Sequence, residues 1–202
     1  MKLLPATMLA NKVRDELAPF CDRIAVAGSI RRERPEVNDI DLVLIPKDDE
    51  LQKIIERVTR NCEQIYGRHL SPQNLKFKWK SGFELDLFIA RSEVVDLVSR
   101  IPGNWGAVLL CRTGSMVHNQ QLCSHAIRKG LKFAPYKGVV RVKGGGRALA
   151  PSGEMVETAG VEEVIASESE AEIYATLGLD YLEPTNREVL NLPASSPAGA
   201  KK

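Results

Sequence analysis

The stretch DIDLVLIP, residues 39–46, constrains this chain most. Asp39 and Asp41 open a run of branched apolar residues that Pro46 closes, which is the pattern of a strand. Residues two apart on a strand share a face, so the two carboxylates point the same way. That spacing suits a hard cation such as Mg²⁺, which takes oxygen ligands and keeps positions for water and phosphate oxygens. Just upstream, RIAVAG (23–28) reads as a second strand ended by Gly28, followed by Ser29, Arg31 and Arg32. Gly28 lets the backbone turn, Ser29 adds a hydroxyl donor, and an arginine offers a planar fork to phosphate oxygens. Taken singly, GSIRR is equally a tight turn with solvated arginines, and D-I-D a polar strand end.

The rest of the chain alternates helical and extended patterns, which predicts an α/β (α+β) fold with a mixed sheet flanked by helices. Met8, Leu9, Val13 and Leu17 recur at helical spacing within 6–20. DDELQKIIERVTRN (48–61) opens on acidic residues ahead of Leu51, Ile54, Ile55 and Val58, another helix pattern. NLKFKWKSGFELDLFIA (74–90) reads as a hairpin turning at Ser81-Gly82. Period two puts Lys76, Lys78 and Lys80 on one side of its first run, with Phe77 and Trp79 on the other; Glu84, Asp86 and Phe88 share a face of its second. Helical signals follow at 92–101, 105–112 and 118–130, the last closing on Gly130. VVRVKGGGRALAPSGEMVE (139–157) alternates like a loose hairpin. Its triple glycine lacks the Lys-Ser/Thr and helix of a P-loop and reads as a flexible turn. A last helix is expected through VEEVIASESEAEIYATLG (161–178).

With 44% hydrophobic and 27% charged residues in 202, the chain can build a core without staples. Cys21, Cys62, Cys111 and Cys123 lack the short spacings of zinc or redox motifs, so an intracellular, reducing compartment is expected. The opening MKLLPATMLANKVRDE has too short an apolar run for a signal peptide or membrane span, so no membrane role is expected. His69, His118 and His125 have no metal spacing, and Trp105 at a helix start reads as a core anchor. Net charge is only +2, yet Arg128, Lys129, Lys132, Lys137, Arg141, Lys143 and Arg147 fall between 128 and 153 without an acid. That block is either a solvated face or a phosphate-binding surface.

Asp86, in a later apolar strand, supplies a third carboxylate. In nucleotidyl transfer two metal ions about 3.5–4 Å apart clamp the attacking and leaving oxygens, and three aspartates hold them without cancelling their Lewis acidity. Gly-Ser, a gap, then Asp-hydrophobic-Asp and a third Asp is the nucleotidyltransferase pattern. The motifs GSIRR, DID, ELDLFIA, WGAVLLCRTGS, HNQQLCSHAIRKG and LGLDYLEPTNRE occur in the order of the family X DNA polymerases, the group of polymerase beta, which the chain resembles over residues 20–190.

The resemblance implies a nucleotidyltransferase palm over 1–92 and a small nucleotide-selecting α/β subdomain over 93–190, and the small, polar, proline-rich composition of NLPASSPAGAKK predicts a disordered tail over 191–202. It implies that Asp39, Asp41 and Asp86 are catalytic and bind two Mg²⁺ ions, with Mn²⁺ able to substitute, Asp86 standing nearest the primer 3′-hydroxyl. Gly28, Ser29 and Arg32 match triphosphate-binding positions, Thr113, Gly114 and Ser115 the turn against the incoming sugar, and Asn119 a contact to the base edge. Glu183, Pro184 and Arg187 match a signature expected to fasten the last segment to the fold. The chain departs from the family at Cys111-Arg112, where Tyr-Phe is common, at Cys123, where a template-contacting arginine stands, and at Met116, where an Asp contacts the base. These changes imply lower fidelity or a different substrate geometry.

The start lies almost at the palm, so a minimal form without lyase or helix-hairpin-helix domains is expected, as in some viral members. DNA contact would then fall on Lys76, Lys78, Lys80 and the block Arg128 to Arg147. The expected function is template-directed DNA synthesis filling short gaps in repair, with DNA and nucleoside triphosphates as partners. The chain is expected to be a monomer in cytoplasm, nucleoid or a virus-infected cell. The rivals are a template-independent terminal or small-molecule nucleotidyltransferase, and a nucleic-acid-binding scaffold.

Overall fold

The computed structural model describes residues 1–65, 71–95, 97, 100–149, 155–158 and 160–188. His69 and the expected disordered tail 191–202 lie outside them, as does the side chain of Arg147. Five strands form a mixed sheet in the order β1-β2-β5-β4-β3: β1 (Cys21–Val26), β2 (Asp39–Pro46), β3 (Cys62–Ile65), β4 (Asn74–Trp79) and β5 (Glu84–Ile89). β2 runs parallel to β5, and the other neighbours are antiparallel.

Alternation makes β2 two-sided. Ile40, Leu42 and Leu44 turn to one face, where α1 (Leu3–Leu17) and α3 (Leu51–Thr59) cover them with Ala6, Ala10, Leu17, Ile54 and Val58. Val43 and Ile45 turn to the other and meet Trp105, Val108 and Leu109 of α4 (Trp105–Thr113). Trp105 is the anchor its position suggested, buried at 6% exposure beneath the Arg23 guanidinium. Each fully buried Leu or Ile contributes about 1.5–3 kcal/mol, so both faces of this strand hold the fold. Asp39 and Asp41 share the α4 face but lie past the apolar patch, at the edge of an open cavity. Met8, expected on the packing side of the first helix, faces solvent, because the small Ala6 and Ala10 bring α1 close to the sheet instead.

A second core lies beyond α4. The strands β8 (Lys132–Ala134), β9 (Gly138–Lys143) and β12 (Val161–Ala166) pair in the order β12-β9-β8, covered by α5 (Met116–Arg128) and α6 (Glu170–Thr176). Leu122, Ala126, Phe133, Val139, Ile173 and Tyr174 fill it, and α4 adds Ala107 and Leu110, so one helix serves both cores. Ser115 caps α5 by accepting from the His118 amide, and Ser169 caps α6 by accepting from the Glu172 amide. Such caps contribute about 1 kcal/mol each.

Three local expectations are corrected. The described residues between 92 and 101 form no helix; β6 (Val94–Val95) pairs with β7 (Arg100–Ile101). Val94, Val95, Leu97 and Ile101 are exposed, so a helix would find no surface to pack on, and branched valines favour extended backbone. The helix expected over 161–178 is a strand followed by a shorter helix, because Val161 to Ala166 pair with β9. The 139–157 hairpin is divided: the turn at Gly144 and Gly145 leads into β10 (Gly146–Leu149), which pairs with β11 (Met155–Thr158), while β9 pairs with β8 and β12.

Candidate active site

The site begins where β1 gives way to a single helical turn, α2 (Gly28–Arg31). Gly28 adopts φ +59°, and a Cβ there would sit 1.8 Å from Asp41 Oδ2. Only glycine lets this turn lie against the carboxylate. Ala27 N–H donates to the Asp41 carbonyl at 2.8 Å, fixing the turn to β2. The opening N–H groups of a helical turn have no partner within it, and Ser29 Oγ is buried without a hydrogen bond.

Asp41 and Asp86 stand opposite each other on the parallel strands β2 and β5, and Asp39 is two residues earlier on the same face. One carboxylate oxygen from each lies within 4.8 Å of the others. Burial, then the charges of Asp39 and Asp86, push Asp41 up to about 7. Burial likewise raises Asp86 despite the ammonium beside it. Asp86 Oδ1 is buried with no hydrogen bond. A crowd of oxygen ligands with an orphaned acceptor among them fits a hard dication such as Mg²⁺ or Mn²⁺.

Two cations border the triad. Lys76 Nζ lies 2.8 Å from Glu84 Oε2 and 3.3 Å from Asp86 Oδ1. Burial opposes its charge, but Glu84 and Asp86 outweigh it and raise the lysine's pKa. The Arg112 guanidinium stacks 4.2 Å from the Phe88 ring centroid, donates to the Tyr136 hydroxyl at 3.3 Å, and lowers the cost of ionising Asp41.

The opposite wall is the α4–α5 junction. Gly28, Ser29, Arg32, Gly114, Ser115 and Asn119 line one cavity of about 1060 Å³ together with the three aspartates. Thr113 does not line it: the residue is fully buried, its Oγ1 accepting from Arg31 at 2.7 Å and its carbonyl from Arg32. Ser115 Oγ donates to the Glu188 carbonyl at 2.8 Å, and Asn119 Nδ2 donates to the Cys111 carbonyl at 2.7 Å. Arg32 also pairs with Glu188 at 3.1 Å. Cys111, Arg112, Met116 and Cys123 line the same cavity.

The expected DNA-contacting cations are dispersed. Lys76 belongs to the carboxylate site, and Lys78 is exposed beside it. Lys80 follows the end of β4 and borders a groove with Leu9, Val13 and Trp79 on the α1 side, so the three lysines do not share a face. Arg128 and Lys129, at the end of α5, are exposed. Lys132 and Lys137 pair with Glu162, and Arg141 and Lys143 with Glu163, because β12 lays these two acids across the basic strand β9. The backbone of Arg147 is in β10.

Sequence reasoning missed the partners of Arg31. Its guanidinium grips Glu170 with two 2.7 Å bonds, and fully buried Arg187 holds the same carboxylate at 2.6 Å. Burial opposes the charge on Glu170, and the two arginines overcome it, holding its pKa below the ordinary value. This knot ties α2 to α6 and to the last segment, where Arg187 also donates to the Leu182 carbonyl. A signal existed in the first acid of a serine-capped helix start, but nothing local pointed to Arg31. His118 is a buried core histidine whose Nε2 meets the Tyr174 hydroxyl at 2.7 Å.

No curated protein matches the chain. Among the described residues no helix is long and apolar enough to cross a membrane. Residues 108–188, from within α4 to the segment carrying Arg187, match the family model of the DNA polymerase beta thumb. The match covers the cavity wall facing the carboxylates, and the mixed sheet flanked by helices is consistent with a polymerase beta-like nucleotidyltransferase fold. The match therefore supports a relationship of this chain to the polymerases of the beta type.

Proposed function

We propose that the protein is a template-directed DNA polymerase of family X type, adding nucleotides to a primer 3′-hydroxyl and filling short gaps in DNA repair. One observation carries this reading: three carboxylates converge within 4.8 Å on a cavity whose opposite wall falls in the segment matching a polymerase thumb. Asp39, Asp41 and Asp86 would hold two Mg²⁺ ions, which when bound activate the attacking hydroxyl and stabilise the departing pyrophosphate. The Gly28-Ser29 turn presents amide and hydroxyl donors to the triphosphate, and the orphaned Ser29 Oγ gains a partner there. Arg32 is anchored through Glu188 and the Thr113 carbonyl, which leaves its Nη2 uncommitted among the described residues for a phosphate oxygen. Gly114, Ser115 and Asn119 face sugar and base, with Ser115 held in place by the Glu188 carbonyl.

Primer extension on gapped DNA with Mg²⁺ tests the reading. Asp86→Asn is expected to lower incorporation on the order of 10³-fold while circular dichroism stays that of the wild type. Near-normal turnover by that variant would refute the reading. Wild-type extension that persists when the template strand is omitted would replace it with a template-independent transferase.

A further inference from the structure

Among the described residues, Lys76 is the cation in direct ion-pair contact with the aspartate triad. Strand register puts it there: on β4 it stands opposite Asp86 of β5, with Glu84 two residues before Asp86 on the same face. One ammonium thus lies between two carboxylates of unequal standing. Glu84 receives the closer contact, at 2.8 Å, and is the more open, with 35% of its side chain exposed against 12% for Asp86. The 3.3 Å approach to Asp86 Oδ1 meets an oxygen with no hydrogen bond. Asp86 is also one of the three carboxylates that would hold a metal ion, and an ammonium paired with it repels a dication on the same group.

We propose that Lys76 is a resident counter-cation that competes with the metal for Asp86, and that Glu84 is the acceptor onto which it withdraws, so that the pair sets the affinity of the metal position beside Asp86. This rests on the metal-site reading above. Three carboxylates this close repel one another, and the ammonium of Lys76 offsets that repulsion at Asp86. With Glu84 already bonded, the lysine gives up Asp86 without being driven into solvent or leaving a buried charge unpaired. A lysine serving only to join strands would not couple its two partners in this way.

The test is direct binding of Mn²⁺, followed by the electron paramagnetic resonance signal of the free ion, with neither nucleotide nor DNA present. Lys76→Met is expected to tighten Mn²⁺ binding by about fivefold or more, since a unit charge next to a dication is removed. Glu84→Gln leaves Lys76 wholly on Asp86 and is expected to weaken binding about threefold or more. The double variant decides between competition and a simple sum of charges: with Lys76 gone, Glu84→Gln should weaken binding clearly less than it does with Lys76 present. Additive effects in the cycle, or a Lys76→Met variant that binds no tighter than wild type, would overturn the proposal. Asp86→Asn separates the two levels, because unchanged Mn²⁺ affinity there removes the metal site itself, whereas lost affinity with an additive cycle removes only the role of Lys76.

Discussion

At one end of helix α2, Glu170 is closed between Arg31 and Arg187, with distances of 2.6–2.7 Å and its pKa held below the ordinary carboxyl value. At the other end, Asp39, Asp41 and Asp86 crowd together with Lys76 as their ion-pair partner, and Asp41 is pushed up to about 7. Both clusters hold carboxylates at least half withdrawn from water. In the first both carboxylate oxygens are bonded by two guanidinium groups, and among the described residues only Arg187 Nη2 of the three side chains stays buried without a hydrogen bond. In the second three like charges face a cavity with one ammonium, already bonded to Glu84, in ion-pair contact with them. A buried carboxylate matched by the protein fastens the fold, whereas one left unmatched awaits something from outside. The single turn Gly28–Arg31 joins the two, its glycine against Asp41 and its last arginine in the knot.

Neutralising one carboxylate in each cluster should have the most unequal consequences. Glu170→Gln strands two guanidinium groups in a buried site, and removing one partner of such a group typically costs about 3–5 kcal/mol. Urea unfolding of this variant should show that loss, while Asp41→Asn should unfold no earlier than wild type in the absence of metal. A Glu170→Gln variant of wild-type stability would mean that the knot is no fastening and that the contrast is false.

The same contrast predicts opposite slopes with pH. Asp41 has a folded pKa near 7, above its unfolded value of about 3.9, so its contribution is fully present below that lower value and is lost as pH rises through 7. Glu170 has a lowered pKa, so its contribution is present above the ordinary carboxyl range and is lost on acidification. Metal-free protein should therefore lose thermal stability between about pH 5.5 and about pH 8, and Asp41→Asn should flatten that decline. Mg²⁺ needs the ionised carboxylate, so the stabilisation it gives should be larger at the higher pH. A wild-type melting profile flat over this range would remove Asp41 from the argument.

How much of this was legible depends on the distance over which the physics acts. Asp39 and Asp41 fall on one face because alternation along a strand is local, and Gly28 marks the turn because its conformation is local too. Asp86 could be set beside them once a second strand was recognised. The Arg31–Glu170 pair spans 139 residues and has no local signature. Whether Val161 to Ala166 become helix or strand is decided by β9, which offers them an edge to pair with. The basic run from Arg128 contains no acid in sequence, yet Glu162 and Glu163 arrive opposite it through that same pairing.

Those surface pairs give the smallest expected effect. Lys132, Lys137, Arg141 and Lys143 meet Glu162 and Glu163 in open solvent, where ion pairs are screened and add little to the fold. Exchanging both glutamates for glutamine should leave the unfolding midpoint unmoved, unlike the same change at Glu170. Its consequence should appear in DNA binding, because cations no longer held by carboxylates are free to meet phosphates. The slope of log affinity against log salt should then steepen by about 0.9 for each lysine or arginine that gains a phosphate. An unchanged slope would place these strands away from the nucleic acid and leave the cavity rim, with exposed Lys78 beside it, as the surface on which contact must be sought.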